Sequence, residues 1–342
     1  MSRVAVYGAG SWGTAFSLVL ADAGCDVTLW GRRASLVDAI NDTRSNPDYL
    51  PQVKLPANVR ATTDPAKAAS GADIAVLAVS AQYARTLLDA WAGQWQPGTV
   101  FVSLMKGVEL GTGQLMSEVL AEATGAGADR IAVVSGPNLA AEIVARKPAA
   151  SVVACADEST AAAIQAACHT PYFRPYTNTD VIGCELGGAV KNVIALAVGI
   201  TDGMQLGDNA KAALVTRGLA EATRLGIAMG ANPLTLAGLA GMGDLVATCA
   251  SKLSRNHSFG YRLGLGMSVA ETQELTKQTA EGVASCKAIQ GLAERHGVEM
   301  PITQTVVDIV HGGEDPEVAV NALLSRVPKP ETLRSRPGTG GR

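Results

Sequence analysis

An apolar tetrapeptide, Val4-Ala5-Val6-Tyr7, breaks directly into Gly8, Gly10 and Gly13, spaced G-x-G-x-x-G, and an apolar helical pattern follows at once. A strand that turns through glycines into a helix leaves bare backbone N–H groups at the positive end of the helix dipole, where a pyrophosphate fits. Each glycine has its own task. Gly8 makes the turn, Gly10 lets a phosphate approach the backbone, and Gly13 lets the helix lie close to the sheet. Such a turn also occurs in sheets that bind nothing, so its context matters. Here a second strand pattern, Asp26-Val27-Thr28-Leu29-Trp30, returns after the helix as a βαβ unit requires.

The end of that second strand bears on the cofactor. An acidic residue there holds the ribose 2′-hydroxyl of NAD, whereas an arginine accommodates a 2′-phosphate. This chain has Gly31-Arg32-Arg33 at the tip, and Asp26 stands at the strand's other end. The pattern points to NADPH, or to dual use with NADH and an NADPH bias. Arg32 and Arg33 also suit plain solvated charge.

Further apolar runs at 74–79, 100–104, 131–134 and 151–154 are nearly continuous, as strands covered on both faces must be. The first half therefore reads as a doubly wound, mostly parallel α/β sheet of Rossmann-like type. Its ligands belong beyond the carboxyl ends of the strands, which marks Val79-Ser80, Met105-Lys106-Gly107 and Ser135-Gly136-Pro137-Asn138 as rim segments. From about residue 181 the period becomes helical, with patterns at 185–199, 209–229, 233–239, 258–263, 268–275, 283–296, 302–310 and 317–324. The expected division is a dinucleotide-binding domain at 1–180, an all-helical substrate domain at 181–326 and a flexible tail at 327–342.

At 342 residues the chain has length for about two domains. A net charge of −3 gives no basic field for nucleic acid or an anionic membrane, so anionic small molecules must be met by local clusters. Six cysteines without a C-x-x-C pair argue against a disulfide framework or a zinc cluster, and read as buried small hydrophobes in a reducing compartment. The N-terminus enters its strand with no secretory leader, and apolar stretches such as 193–200 look too short to span a bilayer. These features suggest the cytoplasm and no integral membrane segment.

Lys191 is the sharpest residue of the second half, an ammonium inside a segment that is otherwise apolar or glycine apart from Asn192. Burying a cation lowers its pKa, and such a lysine can give a proton to a carbonyl oxygen and take it back, as ketone reduction requires. A lysine snorkelling from a helix edge would show the same pattern. Asn192 could hold the same oxygen or bridge to a cofactor. Lys106 sits where a loop reaches over a nucleotide. Gly136 exposes its N–H and Asn138 offers an amide, although together they also make an ordinary turn. Three glycines before Asp244 suggest a flexible backbone that presents its carboxylate to a hydroxyl or to Lys191. Ser254-Arg255-Asn256 brings a hydroxyl, a guanidinium fork and an amide together just ahead of a helix, a set suited to phosphate, though an exposed loop arginine is common. Glu281 precedes a helix, where a carboxylate is also favoured by the dipole alone.

These motifs, with Leu186-Gly187-Gly188-Ala189-Val190-Lys191-Asn192-Val193 and Gly241-Met242-Gly243-Asp244-Leu245, resemble bacterial NAD(P)-dependent glycerol-3-phosphate dehydrogenases, in order from residue 2 to about 325. The resemblance implies reversible reduction of dihydroxyacetone phosphate to sn-glycerol 3-phosphate with NADPH or NADH, feeding glycerophospholipid synthesis, by a homodimer. It implies Lys191 as proton donor and acceptor, and Lys106, Gly136, Asn138, Lys191, Asp244, Ser254, Arg255 and Asn256 as substrate contacts. Ser11, Trp12, Arg32, Lys106, Ala140, Arg255, Thr279 and Glu281 are implied as cofactor contacts, with Arg33 added by position. Two departures stand out: Asn138 where a hydroxyl residue is frequent, and Thr279 where valine is frequent. Rival readings are a β-hydroxy-acid reductase, which would lack the Ser254-Arg255-Asn256 clamp, and a cofactor sensor, in which Lys191 would be dispensable.

Overall fold

A computed structural model describes residues 2–251, 253–275 and 280–327. Thr279 and the tail beyond residue 327 lie outside the described residues. One sheet contains β1 (Arg3–Tyr7), β2 (Asp26–Trp30), β3 (Val59–Thr62), β4 (Ile74–Leu77), β5 (Val100–Ser103), β6 (Ile131–Ser135), β7 (Ala149–Cys155) and β8 (Phe173–Asn178). Their order is β3-β2-β1-β4-β5-β6-β7-β8. Neighbours from β3 to β6 pair in parallel, β7 runs antiparallel to β6, and β8 follows β7 in parallel.

The continuous apolar strands have the expected cause. In β1, Val4 and Val6 enter one core cluster while Ala5 and Tyr7 enter another, so the strand is buried on both faces. The strand order reverses between β1 and its two neighbours β2 and β4, and a crevice at such a switch point is where these sheets take ligands. The glycine turn leaves β1 at that place.

Among the described residues from Val181 onward the regular elements are helices, and their axis is the helix Val181–Gly203, buried over most of its length. Its close partner is the helix Arg255–Gly264, and glycines set their spacing. A Cβ on Gly199 would lie 2.2 Å from the carbonyl oxygen of His257, and one on Gly260 would lie 2.1 Å from that of Leu196. No side chain fits between these backbones, so the start of the second helix is held firmly against the first.

The expectation that no apolar stretch is long enough for a bilayer needs correction. Val181–Gly203 and Pro233–Ala250 are both long and apolar enough by length and composition, because the helix runs on through Lys191 and Asn192. The apolar window of the first is 89 % buried inside the protein, and that of the second 44 %. All six cysteines are free and buried.

Candidate functional site

The glycine turn has the three-part geometry expected of it. Gly8 has φ +124°, and a Cβ there would stand 2.4 Å from the carbonyl oxygen of Ala78. A Cβ on Gly13 would reach 1.9 Å from the carbonyl oxygen of Gly8, so helix and turn touch. Gly10 is different, since nothing lies within 4 Å of its Cβ position. It caps the helix Ser11–Asp22 without a side chain, so no capping side chain takes up the first-turn N–H groups. Nearby, the buried Trp12 indole Nε1 has no hydrogen-bond partner. The open space at Gly10 and the orphaned donor fit a dinucleotide. At the tip of β2, Arg32 and Arg33 are both exposed, and Arg33 pairs with Asp48.

Beyond the strand ends, three charged side chains meet across the two halves of the chain. Asp244 is 1 % exposed and accepts from Lys106 Nζ at 2.5 Å and from Lys191 Nζ at 2.5 Å, one on each carboxylate oxygen. Lys191 also donates to the Thr248 hydroxyl at 2.8 Å, and Lys106 donates to the Gly136 carbonyl at 3.0 Å. Two ammoniums share one carboxylate, so the centre keeps a net positive charge for an anionic ligand. Lys191 is 9 % exposed, which excludes the snorkelling alternative. Burial lowers its pKa to about 8 and the nearby Lys106 charge acts in the same direction, while Asp244 opposes them. A proton held at that value can be released and recovered near neutrality.

The approach of the elements explains the convergence. Gly188 faces the stem of Lys106, where a Cβ would be 3.4 Å from Lys106 Cγ. Gly187 lets the 181–203 helix meet the carbonyl of Ala240, whose segment Leu239–Gly243 is a wide π-helical turn running into the helix Asp244–Ala250. The sequence suggested a flexible presentation of Asp244; instead Gly241 packs against the Leu236 carbonyl, where a Cβ would be 1.9 Å from the oxygen, and Asp244 opens a helix.

Next to Lys191, an amide chain reaches the expected phosphate clamp. Asn192 Nδ2 donates to the Lys106 carbonyl at 3.3 Å, Asn256 Nδ2 donates to Asn192 Oδ1 at 2.9 Å, and the Gly282 N–H donates to Asn256 Oδ1 at 2.9 Å. Ser254 caps the helix Arg255–Gly264, its hydroxyl accepting from the His257 N–H at 3.2 Å. The helix starts earlier than the 258–263 pattern suggested, so Arg255 and Asn256 lie in its first turn, not ahead of it. Arg255 is exposed. Burial raises the Glu281 pKa, while the charges of Arg255, Lys191 and Lys106 pull it down, which places the carboxylate in the field of all three.

The remaining positions are placed as follows. Gly136 is buried with φ +140°, and Asn138 Nδ2 donates to the Ser151 hydroxyl at 3.1 Å. Ala140 opens the short helix Ala140–Val144. Thr248 and Ser151 are polar neighbours that the sequence reading missed. The spacing of Asp244 and Thr248, one helical turn apart, was the available signal for the first; Ser151 lies on a strand distant in sequence and gave none. Among the described residues no group of three His, Cys, Asp or Glu could hold a metal ion.

The amino-terminal family model of NAD-dependent glycerol-3-phosphate dehydrogenase matches residues 3–161, and the carboxyl-terminal model matches residues 180–321. A glycerol-3-phosphate dehydrogenase [NAD(P)+] of Streptomyces coelicolor is 68 % identical over 96 % of this chain and 98 % of its own length. That of Thermobifida fusca is 61 % identical over 97 % of this chain and 99 % of its own. The crystal structure of glycerol-3-phosphate dehydrogenase from Coxiella burnetii superposes with a TM-score of 0.91 at 38 % identity, covering 95 % of this chain and 99 % of that one. A ketopantoate reductase from Ralstonia eutropha, at 16 % identity and a TM-score of 0.59, shares the fold alone.

Proposed function

The chain belongs to the NAD-dependent glycerol-3-phosphate dehydrogenase family, and from that premise we propose that Lys191 carries the proton in a reversible reduction of dihydroxyacetone phosphate to sn-glycerol 3-phosphate. The observation that carries this reading is the buried Lys191–Asp244–Lys106 centre beside Asn192 and Asn256. When bound, the reduced nicotinamide supplies a hydride to the carbonyl carbon. The chain's own residues do the rest. Lys191 Nζ protonates the developing alkoxide, and the positive centre favours the negative charge as it forms. Asp244 orients both ammoniums, and Thr248 fixes the other side of Lys191.

The substrate phosphate is assigned to Ser254, Arg255 and Asn256 at the helix N-terminus, with further contacts from Gly136, whose carbonyl accepts from Lys106, and from Asn138. For the cofactor, Gly8, Gly10, Ser11, Trp12 and Gly13 take the pyrophosphate, Arg32 and Arg33 the ribose end, and Lys106, Ala140, Arg255 and Glu281 the nicotinamide side. The openness at Gly10 and the unpartnered Trp12 nitrogen support that placement. Residues 1–180 then act as the dinucleotide-binding domain and 181–326 as the substrate domain. The last strand ends at Asn178 and the long helix begins at Val181, which supports a boundary there.

The product is a glycerophospholipid precursor, and six free cysteines suit a reducing cytoplasm. A homodimer would cover the exposed apolar side chains of Leu206, Ile227 and Leu324, which border an apolar cavity of about 1290 Å³ in the second half. Light scattering of the purified chain tests the dimer. The reaction is tested by following cofactor absorbance with dihydroxyacetone phosphate, with its unphosphorylated analogue and with each reduced cofactor. Oxidation that requires the phosphate supports the assignment, and equal rates with the unphosphorylated ketone overturn the clamp.

A further inference from the structure

The strand-tip reading takes Gly31-Arg32-Arg33 as a site without an acidic residue, but the fold brings one there from elsewhere in the chain. Arg33 Nη2 lies 2.5 Å from Asp48 Oδ2, with the two side chains 48 % and 45 % exposed. We propose that Asp48 sets cofactor preference: its carboxylate competes with the ribose 2′-phosphate for the Arg33 guanidinium and keeps the enzyme closer to dual NADPH and NADH use than two tip arginines alone would. The inference rests on the reading above that Arg33 meets the 2′-phosphate.

Three features show that Asp48 is delivered to this place by the fold. It stands at the tip of a turn closed by an antiparallel bridge between Asn46 and Leu50, with the Leu50 N–H donating to the Asn46 carbonyl at 2.9 Å. Asn46 is fully buried, and its Nδ2 donates to the Ala9 carbonyl at 3.0 Å and to Thr14 Oγ1 at 2.8 Å. One end of the turn is thereby fastened to the glycine-rich segment itself. Before it, the Arg44 guanidinium donates to the carbonyls of Leu55 and Val59. The anchored backbone keeps Asp48 near Arg33 when a ligand arrives, whichever rotamer its half-exposed carboxylate takes.

The physical consequence differs between the two cofactors. A 2′-phosphate reaching Arg33 either displaces the Asp48 carboxylate or shares the guanidinium with it, and in both cases it lies beside a like charge that repels it. A 2′-hydroxyl meets no such repulsion, and a carboxylate at this end of the site is the kind of group that accepts from it. Asp48 thus acts against NADPH and is neutral or favourable toward NADH. The pair is half exposed, so the effect is moderate and weakens with salt.

The test is the ratio of kcat/KM for NADPH to kcat/KM for NADH, at saturating dihydroxyacetone phosphate, in the wild type, Asp48→Asn, Arg33→Leu and the double variant. The expected result is a ratio raised about two- to fivefold in Asp48→Asn, chiefly through KM for NADPH, and less so at high salt. Arg33→Leu lowers the ratio, and in its background Asp48→Asn raises the ratio by less than it does in the wild type, because only the direct repulsion is left to remove. A ratio that is unchanged or lowered in Asp48→Asn, while Arg33→Leu lowers it, overturns the proposal and leaves the arginine assignment standing. A ratio unchanged in Arg33→Leu overturns that assignment, and the proposal with it.

Discussion

At Lys191, burial and pairing pull in opposite directions, and the balance fixes what the side chain can do. Fully solvated, the amine would hold its proton too tightly to return it. At about 8 it titrates within reach of neutrality. Ketone reduction needs the protonated form, so its kcat/KM falls as pH rises through about 8, while the reverse oxidation needs the free amine and rises through the same region. Profiles that are flat there in both directions would contradict the proton-carrier role. Lys191→Ala should retain NADPH binding, read by fluorescence titration, and lose roughly 10²- to 10⁴-fold in kcat. Arg255 has a different signature. Truncation to Leu removes charge-assisted hydrogen bonds to a dianion, worth about 1.5–3 kcal/mol, so KM for dihydroxyacetone phosphate should rise about ten- to a hundredfold and that for cofactor much less. An unchanged substrate KM would remove Arg255 from the phosphate site.

Among the elements, the crossing of Val181–Gly203 with Arg255–Gly264 decides how the clamp meets the ammonium. A Cβ on Gly260 would stand 2.1 Å from the Leu196 carbonyl oxygen, so Gly260→Ala must push the two backbones apart. The expected cost is about 1–3 kcal/mol in thermal unfolding, with a raised KM for the phosphorylated substrate because Ser254 and Arg255 ride on the displaced helix. Equal stability and KM in that variant would show that the spacing is not critical. The same crossing marks what could be read from sequence. The glycine turn, the twice-buried strands and the Lys191 helix were legible because each is a local pattern of period or spacing. The strands Val59–Thr62 and Phe173–Asn178 were not. The first is four residues long, and the second carries Pro175 and alternates outward at the sheet edge, so neither forms an apolar run. The Asp48–Arg33 pair and the Ser151–Asn138 contact were illegible for a related reason: both are set by loops and strands that only the closed sheet brings together.

Across the whole molecule, two buried carboxylates tie helix starts to neighbouring elements and make stability depend on pH. Glu185 accepts from the Ser117 N–H at 2.9 Å and so joins the helix Met116–Thr124 of the sheet half to the central helix of the other half. Glu221 accepts from the Ile302 N–H at 2.8 Å at the start of the helix Pro301–Gly312. Burial raises both pKa values to about 7, against a little over 4 in an unfolded chain. The folded state therefore binds more protons than the unfolded one in that interval. Their stabilising contribution is complete below the unfolded value and is lost as pH rises through about 7. Lys191 works the other way, but only between about 8 and the normal lysine range, where rising pH relieves the burial of its charge. The ligand-free protein should thus unfold at a lower temperature in mildly alkaline than in mildly acidic buffer, by an amount corresponding to roughly 1–3 kcal/mol per carboxylate. Differential scanning calorimetry on wild type, Glu185→Gln and Glu221→Gln checks this, since each amide keeps the side-chain shape while removing its share of the pH dependence. A melting temperature that climbs from mildly acidic to neutral pH, or a slope identical in both variants and wild type, would show that these carboxylates stay ionised in the fold and that the helix N-termini, not burial, govern their protons.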